Sequence, residues 1–207
     1  TGMFTGDECL AGKNPLQGTE LCAVVEFMFS LELLAATLGD PFFGDRLERV
    51  AFNALPATFS PDMWAHQYDQ QANQVQCAIN PDHMWTTNGP ESNLYGLEPN
   101  FGCCTANMHQ GWPKLAAHLW MRAPEGGLAA VAYAPSEARF EARGVPVTVV
   151  LETDYPFRET LEITVKGGSG SRFPLLLRVP AWAKGATARV AGGIEEAMKP
   201  GTFHRLE

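Results

Sequence analysis

Apolar residues fall at helical spacing in the first half of the chain and alternate in the second. Leu21, Val24, Val25, Met28, Leu31, Leu34, Ala35 and Leu38 recur three or four apart, the spacing of one helix face. Thr19 precedes this run as an N-cap and Gly39 follows it as a C′ residue. A second helix carries Phe43, Leu47, Val50, Ala51 and Ala54, opens at Pro41 and ends before Pro56. The short Gly39-Asp40 link predicts an antiparallel helical hairpin. Residues 56–103 show neither period, yet they hold Trp64, Tyr68, Trp85, Tyr95 and Phe101. So long a run, with that many aromatics, predicts a folded, loop-rich segment around a site. Thr105 to Arg122 reads as a third helix, with Met108, Leu115, Leu119 and Trp120 apolar and Pro113 marking a kink or a late start.

Past the breaker Ala123-Pro124-Glu125-Gly126-Gly127 the period becomes two. Strands are predicted over Leu128–Tyr133, around Val145, Val147, Val149 and Leu151, around Leu161, Ile163 and Val165, and around Phe173, Leu175, Leu177 and Val179. Gly167-Gly168-Ser169-Gly170 and Pro180 punctuate them. The predicted fold is α+β and multidomain: a helical, loop-rich part over 1–123, then an antiparallel β-sandwich over 124–207.

Composition narrows the partners. The chain has 207 residues, 45% hydrophobic and 18% charged, which suits a packed core rather than disorder. A net charge of −8 argues against nucleic acid and against an anionic membrane surface. No charge-free apolar run approaches the ~18 residues of a transmembrane span. The sequence opens on Thr1 and runs straight into dense sequence, and it is read as a piece of a longer protein.

The chemistry gathers at Cys103-Cys104. Five cysteines, Cys9, Cys22, Cys77, Cys103 and Cys104, make an odd and uneven set, a poor disulfide framework. Adjacent thiols bridge each other only with strain but serve well as two ligands of one metal. Glu20 and Cys22 add a carboxylate and a third thiol, completing a four-ligand set for zinc. The competing reading is that buried cysteines are small hydrophobes, which suits Cys9 and Cys77. Residues two apart on a helix diverge by ~200°, so Glu20 and Cys22 share an ion only if the helix begins near Cys22. A closed site of this kind is usually structural. A metal-bound thiol is also deprotonated, and so nucleophilic. Its general acid would come from Asp7, Glu8, Glu91, Glu98 or His66, with Glu8 closest in sequence to the helix and Glu91 and Glu98 read as solvated loop charges. His66 to Gln71, beside Trp64, supplies hydrogen-bonding groups that suit a sugar or, equally, a self-bonded loop. His109 and His118 read as packing or surface residues. No phosphate loop and no nucleophile elbow is present.

Glu20-Leu21-Cys22-Ala23, Gly44 to Arg49 with Phe52-Asn53-Ala54-Leu55, Gly102-Cys103-Cys104 with Asn107, and Leu177-Arg178-Val179-Pro180-Ala181-Trp182 resemble, in that order, the β-L-arabinofuranosidase family, glycoside hydrolase family 127 and its relatives. The resemblance implies the tail of an (α/α)6 helical barrel followed by a β-sandwich. It implies zinc held by Glu20, Cys22, Cys103 and Cys104, with Cys103 as nucleophile and Glu8 as acid/base in a retaining double displacement. Tyr68, and with it His66, would contact a carbohydrate substrate, a β-L-arabinofuranoside or a similar small furanoside. The chain departs from the family at Gly111-Trp112-Pro113, and it begins late in the barrel. The apolar faces so exposed are expected to need the N-terminal barrel portion or a second copy, and the piece alone is expected to be inactive. The alternative is a non-catalytic carbohydrate-binding or structural module with an architectural zinc; a redox thiol protein is a third reading.

Overall fold

The computed structural model describes residues 1–8, 10–12, 14, 17–79, 81–82, 89–96, 101–168 and 170–207. Cys9, Trp85, Glu98 and Ser169 lie outside the described residues. The chain forms two compact units, residues 1–31 with 49–116 and residues 32–48 with 117–207. Along the sequence each unit is thus made of two segments.

The first unit opens with strands β1 (Thr5–Gly6), β2 (Leu10–Gly12) and β3 (Thr19–Glu20). Helix α1 (Leu21–Leu38) follows without a break. Thr19 is therefore a strand residue, and its hydroxyl donates to the Phe4 carbonyl at 2.9 Å instead of capping the helix. Leu21, Val24, Val25, Met28 and Leu31 are buried as their spacing requires. By length and composition alone α1 could cross a membrane, but this buried stripe and its Glu26 and Glu32 mark a core helix. Gly39 ends it in the left-handed region at φ 64°, its N–H donating to the Ala35 carbonyl. Asp40 caps helix α2 (Pro41–Arg49), its carboxylate accepting from the Phe42 N–H at 2.9 Å. A π-helical turn, Val50–Ala54, continues α2 to Pro56.

Residues 56–96 are mostly loop, tied by the bridges Phe59–His66 and His66–Gly96. Within them strand β4 (Asp69–Gln70) pairs antiparallel with β3 and sets Glu20 opposite Asp69. The sheet order is β2-β1-β3-β4. Helix α3 (Gly102–Met108) carries the cysteine pair in its first turn, and α4 (Gly111–His118) follows. The single helix predicted over Thr105–Arg122 is thus two helices, and Trp120–Ala123 is strand β5. Pro113 sits in the first turn of α4, where a missing N–H removes no helical bond.

The second unit is built on two sheets. Strands β6 (Gly127–Ala130), β7 (Ser136–Ala142), β8 (Val145–Thr153), β9 (Leu161–Gly167) and β10 (Leu175–Val179) are followed by β11 (Thr187–Ala188), β12 (Glu196–Ala197) and β13 (Thr202–Leu206). One sheet runs β13-β10-β6-β5 and another β7-β8-β9, with β11-β12 a small pair. The predicted all-antiparallel order fails at one place, because β10 pairs parallel with β6. Leu128, Ala130, Leu175 and Leu177 from one sheet share a core with Ala142, Val147, Val149 and Leu151 from the other. The alternate residues Ala129 and Leu176 pack on the opposite face with Ala35, Phe43 and Val131. Burial on both faces explains the apolar run Leu175–Leu177 that opens β10.

A buried charge cluster lies in this unit. Arg178 of β10 is fully enclosed and pairs with Asp45 and Glu48 of α2, while its Nε donates to the Val131 carbonyl at 2.5 Å. Glu48 also accepts from the Tyr133 N–H at 2.8 Å and the Tyr155 hydroxyl at 2.6 Å. A Cβ at Gly44 would lie 2.5 Å from both Arg178 Cδ and the Val131 oxygen, so only glycine lets α2 approach this closely.

Candidate metal centre

Glu20 ends β3 and Cys22 stands in the first turn of α1. Because the helix begins at Leu21, Glu20 keeps an extended conformation and the ~200° divergence of an all-helical pair does not arise. Cys103 and Cys104 enter from the first turn of α3. The ligand atoms of Glu20, Cys22, Cys103 and Cys104 all lie within 4.8 Å of one another. Cys22 Sγ is 3.2 Å from Cys104 Sγ, and Glu20 Oε1 is 3.8 Å from Cys103 Sγ and 3.9 Å from Cys104 Sγ. Around one zinc with Zn–S of ~2.3 Å, sulfurs sit about 3.8 Å apart. The donor set therefore fits zinc in number and type, and the Cys22–Cys104 pair, at 3.2 Å, would have to open by about 0.6 Å to share one ion.

Electrostatics point the same way. The Cys22 thiol is pulled down, first by its hydrogen bond with Cys104 and, against burial, by Asn107. The Cys104 thiol is pushed up, chiefly by that same bond to Cys22 and then by burial. Burial, then Cys22, pushes the Cys103 thiol up as well. The protein groups alone thus favour the thiolate at Cys22 over those at Cys103 and Cys104, and a bound dication would favour all three.

The surroundings hold the cluster in place. Asn107 Nδ2 donates to Cys22 Sγ at 3.3 Å, and Gln110 Nε2 donates to Asn107 Oδ1 at 3.0 Å. His66 is buried, with Nε2 3.0 Å from the Thr105 hydroxyl directly after the cysteine pair. Tyr68 is fully buried, stacks on Phe101 with ring centroids 3.9 Å apart, and donates its hydroxyl to Glu8 Oε1 at 3.1 Å. Burial, followed by the Glu20 and Glu8 carboxylates, pushes the Tyr68 phenol up, so it remains a donor. Glu8 is exposed and adopts φ 72°, a left-handed conformation uncommon for a non-glycine residue and frequent at functional sites.

Of the other candidates, Asp7 is buried and accepts from Gln17, and Glu91 sits in a turn whose carbonyl accepts from Leu94 N–H. His118 pairs with Glu32 at 2.8 Å, and His109 closes α3. Cys77 donates to the Asn93 carbonyl at 3.0 Å, apart from the cluster. An open concavity of about 380 Å³, lined by Gln67, Gln70, Gln71, Cys77 and Tyr95 among others, includes none of the four ligands. The contacts of Asn107, Gln110 and Thr105 went unread in the sequence. The available signal was spacing, since Asn107 lies three residues after Cys104 on one helix face.

Residues 127–207 match the family model for the middle domain of GH127 beta-L-arabinofuranosidase. The chain resembles glycoside hydrolase family 127. No curated protein matches it. Three solved structures match along most of this chain. One described as a glycoside hydrolase has TM-score 0.74 and 19% identity over 92% of this chain and 30% of its own. A GH127 beta-L-arabinofuranosidase from Geobacillus stearothermophilus has TM-score 0.71 and 20% identity over 93% of this chain and 30% of its own. A GH127 beta-arabinofuranosidase has TM-score 0.69 and 20% identity over 94% of this chain and 32% of its own. The chain therefore spans about a third of the length of these structures, and at such identity the likeness is one of fold.

Proposed function

We propose that this chain is part of a retaining glycoside hydrolase that depends on zinc, uses a cysteine nucleophile and acts on a β-L-arabinofuranoside or similar small furanoside. The observation that carries the reading is the convergence of Glu20, Cys22, Cys103 and Cys104 within 4.8 Å, in a chain similar to family 127. Glu20, Cys22, Cys103 and Cys104 would hold zinc, which would keep the thiols deprotonated near neutral pH. Cys103, the exposed thiol of the adjacent pair, attacks the anomeric carbon, and a C–S bond forms as the glycosidic C–O bond breaks. Glu8 gives its proton to the departing oxygen. Water then attacks the same carbon, Glu8 takes a proton from it, and the sulfur leaves as thiolate, so two inversions retain configuration. Tyr68 holds Glu8 toward this chemistry, and His66 fixes α3 through Thr105. Both are buried, which favours positioning over substrate contact.

The helical unit is read as the tail of an (α/α)6 barrel and the strand-rich unit as a β-sandwich. Leu33, Leu34, Leu38 and Phe42 are 49%, 39%, 61% and 55% exposed. Such an apolar surface calls for cover by further barrel helices or a second copy. The alternative is a carbohydrate-binding or structural module with an architectural metal. Hydrolysis of an aryl β-L-arabinofuranoside by the full-length protein and its Cys103→Ser and Glu8→Gln variants, with metal content measured alongside, separates the two. Loss of more than ~10³-fold with metal retained is expected; full activity in Cys103→Ser overturns the enzyme reading.

A further inference from the structure

Three thiolates on one metal are chemically alike unless the protein distinguishes them, and here their surroundings differ. Cys104 is fully buried and out of reach of any reagent. Cys22 and Cys103 are both accessible, Cys22 partly and Cys103 more so. Access alone therefore does not decide between these two. Cys22 Sγ receives an N–H from Asn107 at 3.3 Å. No N–H donor among the described residues reaches Cys103 Sγ, whose neighbour is the Glu20 carboxylate at 3.8 Å. An amide N–H drains charge from a thiolate and lowers its nucleophilicity, whereas a carboxylate does not. The orientation of Asn107 is also fixed. A thiolate cannot donate, so the amide nitrogen must face Cys22, and Gln110 Nε2 occupies Oδ1 at 3.0 Å.

We infer that Asn107, locked by Gln110, is a positioning residue that makes Cys22 the unreactive thiolate and leaves Cys103 the reactive one. The inference rests on the metal-centre reading and extends it to the outer hydrogen bonds that tune a metal's ligands.

The zinc-loaded protein is treated with limiting iodoacetamide, and the alkylated cysteine is identified by peptide mass mapping. Each event forms one S–C bond and releases iodide. Wild type is expected to label first at Cys103. Asn107→Leu keeps the branched side-chain shape but removes the donor, and should raise labelling at Cys22 relative to Cys103 by about tenfold. Gln110→Ala should move the ratio in the same direction by less. In the cobalt-substituted protein, Asn107→Leu should shift the thiolate-to-metal charge-transfer band to lower energy while the tetrahedral d–d bands stay in place. A purely structural role would move neither the labelling ratio nor that band. If Asn107→Leu does not fold, Gln110→Ala carries the same comparison. Unchanged ratio and band with metal retained, or first labelling of wild type at Cys22, overturns the inference alone. A wild-type protein that binds no metal overturns the metal-centre reading, and the inference with it.

Discussion

Arg178 gathers most of the buried charge of its unit. Burial opposes its ionisation and Glu48, with Asp45, more than offsets this, so the guanidinium stays charged. Removing one partner of such a group leaves the other buried and uncompensated. Glu48→Gln or Arg178→Met is expected to cost about 3–5 kcal/mol in denaturant unfolding. Tyr133 and Tyr155 add a pH dependence. Both phenols are pushed up, chiefly by burial, and Glu48 adds to the effect in each. The folded state therefore keeps protons that the unfolded chain gives up above pH ~10. Stability should be intact below that pH and fall as pH rises beyond it. Tyr155→Phe should flatten the decline, read as unfolding midpoint against pH. The motifs around Asp45-Glu48 and Arg178 were visible in the sequence. Their meeting was not, because 133 residues separate Asp45 from Arg178 and no local period links them.

At the scale of elements, the helical stripe of α1 and the alternation of β8, β9 and β10 were legible because core packing follows each period. Several strands were missed, β5, β7 and β13 the longest among them. In β7, Ala138 and Phe140 face the core between Glu137, Arg139 and Glu141, a composition as common on helices as on strands. Strand β13 is half-buried and polar, and β5 carries Trp120 and Met121 at the end of a helical stripe. Tertiary pairing overrode local preference in each case. The close approach of α2 gives a direct test. Alanine is worth ~1 kcal/mol more than glycine inside a helix, yet Gly44→Ala should destabilise by about 1–3 kcal/mol because its Cβ meets Arg178 and the Val131 carbonyl. A raised thermal midpoint in that variant would contradict the packing described.

At the scale of the whole molecule, the exposed Leu33, Leu34, Leu38 and Phe42 sit in a chain a third as long as its structural relatives. The 207-residue chain should self-associate with rising concentration in sedimentation velocity, and Leu38→Glu with Phe42→Glu should suppress this. Of the metal centre, the four residue types were legible in the sequence. Their convergence depended on the helix beginning at Leu21 rather than at Thr19, a boundary set by the β3–β4 pairing and not by local preference. The positions of Tyr68 and His66 followed from tertiary contacts that no spacing announces. The central claim is that Glu20, Cys22, Cys103 and Cys104 together hold one metal ion. X-ray absorption at the zinc edge of the purified protein tests it most directly. The expected shell is three sulfurs at about 2.3 Å and one oxygen at about 2.0 Å; a shell of nitrogen and oxygen alone, or no bound zinc, would contradict it.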